Sequence, residues 1–253
     1  MRHFLIISFL IGLVTISCQQ NLQPGLQSYQ NIGLDSTIAA DPAFKAYIAP
    51  LHDSIESIMN EVIGTSKKQL FPEKPETPLS HFVADLIREE ALREINDARY
   101  EPLPTIAVIN IKGLRTPLPK GDITVRDIYS LMPFENQMVI LKLSGEVVYE
   151  TFMHMGASGG DGLSGASFIF KDQKVINPMI QGEPLKTDKY YYVVTPDYLA
   201  NGGDHYTFFS KAEKRYTSQK KIRDIILNHI RTLTKKGKII NPPEETRIQI
   251  QVK

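Results

Sequence analysis

Thr105-Ile-Ala-Val-Ile-Asn110-Ile-Lys-Gly-Leu-Arg115 sets a short apolar run against a polar, glycine-containing turn that ends in an arginine. The run from Thr105 to Ile109 carries no charge and reads as a buried strand. A turn at a strand end is a frequent ligand position, because the strand holds it still while the turn exposes its groups. The Arg115 guanidinium offers a fork of donors that matches phosphate oxygens two at a time, and Asn110 adds an amide donor. A surface arginine paired with a carboxylate is the other reading of Arg115.

Outward from this stretch, Val139 to Leu143 and Tyr190 to Thr195 are further runs rich in β-branched and aromatic residues, and Arg247 to Val252 reads as a closing strand. After Pro78, with Ser80 as cap, Phe82, Val83, Leu86, Ile87, Leu92 and Ile95 keep helical spacing. Another helix is expected from about Ser218 to Leu233. Earlier in the chain, Phe44, Tyr47, Ile48, Leu51, Ile55, Ile58, Met59 and Val62 form one apolar face of a helix over residues 44–63. That face is expected to pack on the domain's own core, with docking on another chain as the alternative. Strands and helices mix without a regular βαβ period. The pattern predicts an α+β fold, a mixed sheet with packed helices, over residues 36–253.

Two more segments carry chemistry: Pro133-Phe134-Glu-Asn136 and Asp197-Tyr198-Leu-Ala-Asn201-Gly202-Gly203-Asp204. Phe134 and Tyr198 sit in turn-rich stretches, where an aromatic face either stacks on a planar base or turns into the core. The two glycines permit positive φ and close backbone approach. Asp204 then accepts from ribose hydroxyls or braces the turn. Gly156 to Gly165 lacks the Gly-Lys-Ser/Thr ending of a phosphate loop and reads as a flexible loop. His52, His81, His154, His205 and His229 show no metal-ligand spacing, and no Gly-x-Ser-x-Gly elbow is present. The chain has binding chemistry without visible catalytic chemistry.

The start of the chain reads as an export signal: Arg2, an apolar run from Phe4 to Val14, then Thr15-Ile-Ser17 and Cys18. Residues 1–17 are expected to be removed and Cys18, the only cysteine, to receive a lipid; an ordinary cleaved signal is the alternative. Residues 18–35, rich in Gln and Asn, read as a tether. Such a chain is exported and lipid-anchored, on the periplasmic face of the outer membrane. Arg2 is the sole formal charge in residues 1–17, so the remainder carries 28 basic and 28 acidic groups. With no basic excess, nucleic-acid binding by electrostatics is not expected.

Taken in order and spacing, these segments resemble the C-terminal, substrate-binding domain of the 5′-nucleotidase family, over most of residues 45–252. Asn110-Ile-Lys-Gly113-Leu-Arg115 is similar to the family's Asn-Gly-Gly-Gly-Ile-Arg. Gly121-Asp-Ile-Thr124 through Asp127 to Pro133-Phe134-Glu-Asn136 resembles its Gly-x-Ile-Thr…Asp…Pro-Phe-x-Asn. Leu143-Ser-Gly145 and Ser164-Gly165 followed by Phe168 resemble its Leu-Thr-Gly and Ser-Gly-x-x-Phe. Tyr198-Leu-Ala-Asn201-Gly-Gly203-Asp204 resembles its Phe-Leu-Ala-Asn-Gly-Gly-Asp.

The resemblance implies that Phe134 and Tyr198 sandwich the base, Asp204 holds the ribose hydroxyls, and Arg115 and Asn110 approach the phosphate. Gly113, Asn136, Asn201 and Gly203 belong to the same binding motifs, and Lys112 adds a charge beside the phosphate. Ile111 and Lys112 depart from two family glycines, and Leu79-Ser80-His81 stands where the family has Leu/Met-Gly-Asn. An additional family arginine is absent, with Glu73 and Lys74 near its place. The family's metallophosphoesterase motifs are also missing, so no catalytic residue and no metal ligand is assigned here. The resemblance implies the recognition half of a split 5′-nucleotidase, binding a nucleoside 5′-phosphate for a separately encoded metallophosphoesterase that carries the divalent metals. In single-chain relatives the segment equivalent to residues 44–63 joins the two domains, which suggests where such a partner docks. A stand-alone lipoprotein that binds nucleotides or nucleosides with no enzymatic role is the alternative.

Overall fold

In the computed structural model, which describes residues 31, 33, 35 and 37–251, the Thr105–Ile109 strand is buried at every position. It lies in a five-stranded sheet ordered Lys214–Lys221, Gln137–Ser144, Tyr190–Pro196, Thr105–Ile109, Gly162–Ser164. Thr105–Ile109 runs parallel to Tyr190–Pro196, and the other pairings are antiparallel. The strand period of two sends Ala107, Ile109, Ile140, Tyr192 and Val194 to one face. Ile106, Val108, Val139, Leu141 and Val193 go to the other. Helices Pro78–Glu94, Val125–Leu131 and Ile222–Lys235 cover the first face. Helix Gly145–Ala157 and a second sheet, ordered Ile248–Gln251, Ala166–Lys171, Lys174–Ile180, Glu183–Pro184, cover the second. Burial on both faces is why the central strands read as apolar runs rather than as alternation. The α+β fold with a mixed sheet and packed helices is as the spacing predicts.

Several local expectations change. The cap of the Pro78–Glu94 helix is Thr77, not Ser80: Thr77 Oγ1 accepts the Ser80 N–H at 3.3 Å, and Ser80 Oγ accepts the Thr77 N–H at 2.9 Å. Ser80 is thus the third-residue partner in a reciprocal cap. The helix expected from Ser218 starts at Ile222, because Lys214–Lys221 is taken up by edge pairing with Gln137–Ser144. The Gly156–Gly165 stretch is no flexible loop. Helix Gly145–Ala157 runs into it, and Gly162, Leu163 and Ser164 pair with Ile109, Val108 and Ala107. At Gly160, with φ +100°, a methyl group would lie 2.2 Å from the Pro75 carbonyl oxygen. Glycine here lets two backbones touch rather than letting one move.

The leading helix forms as Pro42–Met59, started by Asp41, whose carboxylate accepts the Ala43 and Phe44 N–H groups at 2.7 and 3.1 Å. It crosses the boundary between two units, residues 1–49 and 50–253. In the second unit Met59 packs partly on the core, while Leu51, Ile55 and Ile58 are 66, 45 and 58% exposed. Within the second unit, Leu51, Ile55 and Ile58 of this face do not pack on the domain's core, which other helices cover on that side of the sheet. Residues 1–17, Cys18 and most of the 18–35 tether lie outside the described residues, as does Val252 of the closing strand, seen as Ile248–Gln251. No described helix is long and apolar enough to cross a membrane.

Candidate functional site

The Thr105–Ile109 strand delivers Asn110 and then one short helical turn, Ile111–Gly113. Ile111 is buried, so its bulk goes into the core, and Lys112 faces outward. Gly113 lies close against Asn110: a methyl group there would meet Asn110 Oδ1 at 2.9 Å. The Arg115 N–H donates to the Leu131 carbonyl at 2.8 Å, which ties the end of the turn down. The Arg115 guanidinium is left outward, 5.9 Å from the centre of the Phe134 ring. Among the described residues neither Arg115 nor Lys112 has a carboxylate within ion-pair distance, so the paired-arginine reading does not hold.

Phe134 is carried by a braced loop. Arg223 is buried, donates to the Met132 and Pro133 carbonyls at 3.5 Å each, and pairs with Glu135. Its guanidinium lies 4.1 Å from the Tyr129 ring centre. Hydrogen bonds from Lys221 and Arg223 hold the Glu135 carboxyl below its ordinary range. The Asn136 carbonyl accepts the Ile222 N–H at 2.9 Å. With the loop fixed at both ends, the Phe134 ring stays 41% exposed instead of folding into the core.

The third segment follows the Tyr190–Pro196 strand as the short helix Asp197–Ala200 and a turn through Gly202 (φ +90°) and Asp204 (φ +47°). A left-handed conformation at a non-glycine residue is uncommon and needs surrounding support. Asp204 has it on three sides. Asn110 Nδ2 donates to Asp204 Oδ2 at 2.7 Å, the Tyr198 hydroxyl donates to Oδ1 at 3.1 Å, and His154 Nε2 donates to the carbonyl at 3.0 Å. Tyr198 packs against Gly203, where a methyl group would come within 2.5 Å of its ring, and the residue is 45% exposed.

These segments meet. Asn110, Lys112, Gly113, Arg115, Phe134, Asn136, Tyr198 and Asp204 line one recess of about 310 Å³, within the range of small-molecule sites. Asn201 is not among them: its side chain turns away and accepts from Arg215 Nη1 at 2.8 Å. Gly203 lies close under the Tyr198 ring, and its carbonyl accepts the Tyr206 N–H at 3.0 Å. Recesses of about 520 and 630 Å³ lie elsewhere. The first is lined by Glu90 and Lys220, already paired with each other, and neither is lined by two exposed aromatics.

Asp161 is the residue that sequence reasoning missed. Its buried carboxylate accepts the Ile111 N–H at 3.0 Å and the Tyr206 hydroxyl at 2.8 Å, joining the turn after Ile109 to the turn around Asp204. Burial pushes the Asp161 carboxyl up from its ordinary value, against the lowering effect of those two donors. Burial, with Asp161 alongside, also raises the Tyr206 hydroxyl and keeps it protonated. The one available signal was an acid within a glycine-dense stretch, which reads equally well as solvent-exposed.

The family model for the 5′-nucleotidase C-terminal domain matches residues 62–211. The chain is 26% identical to an apyrase of Tabanus yao over 95% of this chain and 47% of that protein. It is 24% identical to a 5′-nucleotidase of Homo sapiens over 85% of this chain and 42% of that protein. The chain thus spans less than half the length of these relatives. A crystal structure of a 5′-nucleotidase precursor from Thermus thermophilus superposes with a TM-score of 0.69 at 24% identity, covering 82% of this chain and 42% of that one. The Haemophilus influenzae NAD nucleotidase superposes at 0.63 and 16% identity, covering 84% and 42%.

Proposed function

This chain belongs to the family of 5′-nucleotidase C-terminal domains, and from that premise we propose that it is the nucleotide-recognition half of a split 5′-nucleotidase. The observation that carries the reading is the convergence of three distant segments on one recess with two exposed aromatics and two cations that, among the described residues, have no carboxylate partner. Phe134 and Tyr198 take the two faces of the base. Asp204, held by Asn110 and Tyr198, uses its remaining lone pairs to accept from the ribose hydroxyls. Arg115 and Lys112 meet the 5′-phosphate, and Gly113 and Asn136 shape the wall between them.

Hydrolysis is supplied by a metallophosphoesterase on a separate polypeptide, which brings its own divalent metals. Among the described residues no group of three or more His, Cys, Asp or Glu side chains is placed to hold a metal, so no metal step is derived for this chain. The exposed face of Leu51, Ile55 and Ile58 is where that partner docks. Cys18 carries the lipid that keeps the chain at the periplasmic face of the outer membrane.

Calorimetric titration of the chain with AMP and adenosine tests the pocket. Arg115→Ala is expected to weaken AMP by about tenfold while leaving adenosine unchanged. Equal loss for both ligands would remove Arg115 from the phosphate. AMP hydrolysis that appears on adding a co-purifying metallophosphoesterase, and is lost with Leu51→Asp, supports the split enzyme. AMP binding with no activity from any such mixture would favour the stand-alone binding lipoprotein.

A further inference from the structure

The helix Ile222–Lys235 is closed by Gly237, whose φ of +66° is left-handed. The Gly237 N–H donates to the Thr234 carbonyl and the Lys238 N–H to the Leu233 carbonyl, each at 2.9 Å, and the chain turns back. Ile240 is then buried beside the strand Val62–Ser66. Its N–H donates to the Thr65 carbonyl at 2.8 Å, and its carbonyl accepts the Lys67 N–H at 2.9 Å. Ile239, one residue earlier, is left outward and 51% exposed. The same strand pairs through Ser66 with Gly121, the residue after Lys120. Lys67, Lys120, Lys235, Lys236 and Lys238 are thereby brought to one edge with Ile239, all exposed and none ion-paired among the described residues.

The acids beside them are mostly taken. Glu61 pairs with Arg231 at 2.8 Å and Glu244 with Lys68 at 2.5 Å, which leaves Asp122, opposite Thr65. Lys235 and Lys236 suit the negative end of their own helix. That does not account for Lys67, Lys120 and Lys238, which lie outside it. Beyond residue 17 the chain carries 28 basic and 28 acidic groups, so the cluster is a local excess and no reflection of net charge.

We propose that this edge is a membrane-contact face, fitted to an anionic phospholipid bilayer. Lysine heads reach anionic headgroups while their stems lie along the apolar boundary, and Ile239 enters between them. A soluble polyanion would use the lysines and leave Ile239 in water. The inference stands apart from the nucleotide reading. The lipid proposed for Cys18 brings the chain to a bilayer, and this edge orients it there.

The chain has no tryptophan, so Ile239→Trp reports on this position alone. The full chain is mixed with vesicles of phosphatidylcholine, or of equimolar phosphatidylcholine and phosphatidylglycerol. On the anionic vesicles the tryptophan emission is expected to shift to the blue and to be shielded from an aqueous quencher, with neither change on the neutral ones. Lys235→Ala, Lys236→Ala and Lys238→Ala are each expected to weaken the response about fivefold, and added salt to weaken it further. If Ile239→Trp does not fold, Lys67→Trp on the neighbouring strand gives the same readout. No shift on anionic vesicles overturns the proposal, as does an equal shift on both kinds, which would remove the lysines from the contact. Lysine-dependent binding to heparin without a vesicle shift would give the edge to a soluble polyanion and overturn the bilayer contact.

Discussion

Asn110 Nδ2 donates to Asp204 Oδ2 at 2.7 Å, closing one wall of the recess across 94 residues of chain. Asn110 ends a buried strand and Asp204 sits in a strained turn, so the bond ties together two segments that are far apart in sequence. The bond fixes the carboxylate's direction, and the Tyr198 hydroxyl fixes its other oxygen. Preorganisation of this kind means a ligand's hydroxyls meet an acceptor that need not be ordered on binding.

The aromatic pair gives the most direct prediction. Phe134→Ala is expected to weaken adenosine and AMP alike, by about 1–3 kcal/mol, the worth of one base–aromatic stack. The ring is exposed, so the thermal melt should not move. Tyr198→Phe keeps the ring and deletes the bond to Asp204. It should cost less than Tyr198→Ala, and its loss should be smaller for a ligand without ribose hydroxyls. Calorimetry on adenosine and 2′,3′-dideoxyadenosine checks this.

Asp161 yields a prediction with a defined sign. Its folded pKa is raised above the ordinary 3.8, so the fold favours the protonated form. The stability it contributes is full below that ordinary value and is lost as pH rises through the folded value. Its charged form therefore carries a cost that the two hydrogen bonds only partly offset. Asp161→Asn keeps an acceptor for Ile111 without the charge and should melt at or above wild type near neutrality. Asp161→Ala leaves the Ile111 N–H and the Tyr206 hydroxyl unpaired and should cost about 1–3 kcal/mol. Equal destabilisation by the two variants would show that the charge itself, not the acceptors, holds the turns.

His229 gives the opposite sign. Half burial lowers its pKa below the ordinary 6.5, so the neutral ring is the favoured form, edge-on to Phe82. Its contribution is present above the ordinary value and is lost as pH falls through the folded one. A His229→Gln variant should lose less melting temperature than wild type between about pH 7 and pH 5. Parallel slopes for the two proteins would refute this.

Gly160→Ala should destabilise by about 2–3 kcal/mol, because both its φ and the Pro75 backbone forbid a side chain. Since Asp161 is the next residue, AMP affinity should fall as well. A variant that melts normally yet binds poorly would separate the two effects.

How far the site was legible depended on where each residue's partner lies. Phe134 and Tyr198 were readable as loop aromatics because turn signals flank them, and both rings stand exposed at the recess. Asn201 and Asp204 belong to one turn signal, and the left-handed conformation of Asp204 places it at the recess while Asn201 meets Arg215. Asp161 looked like a loop acid and is a buried brace. The face of Leu51, Ile55 and Ile58 was readable as apolar, but not as uncovered.

The sequence by itself determined what depends on a few adjacent residues: the buried strand at Thr105–Ile109, the helical spacing after Pro78, and the glycine turn before Asp204. Apolar periodicity and allowed φ are local properties, and they survive whatever the rest of the chain does. Tertiary structure alone decided that Gly162–Ser164 is a strand, that Lys214–Lys221 is not the start of a helix, and that Asp161 joins two turns. Each of those outcomes depends on a partner far away in the chain, the nearest being Tyr206, 45 residues from Asp161. Such a partner's position exists only once the sheet has assembled.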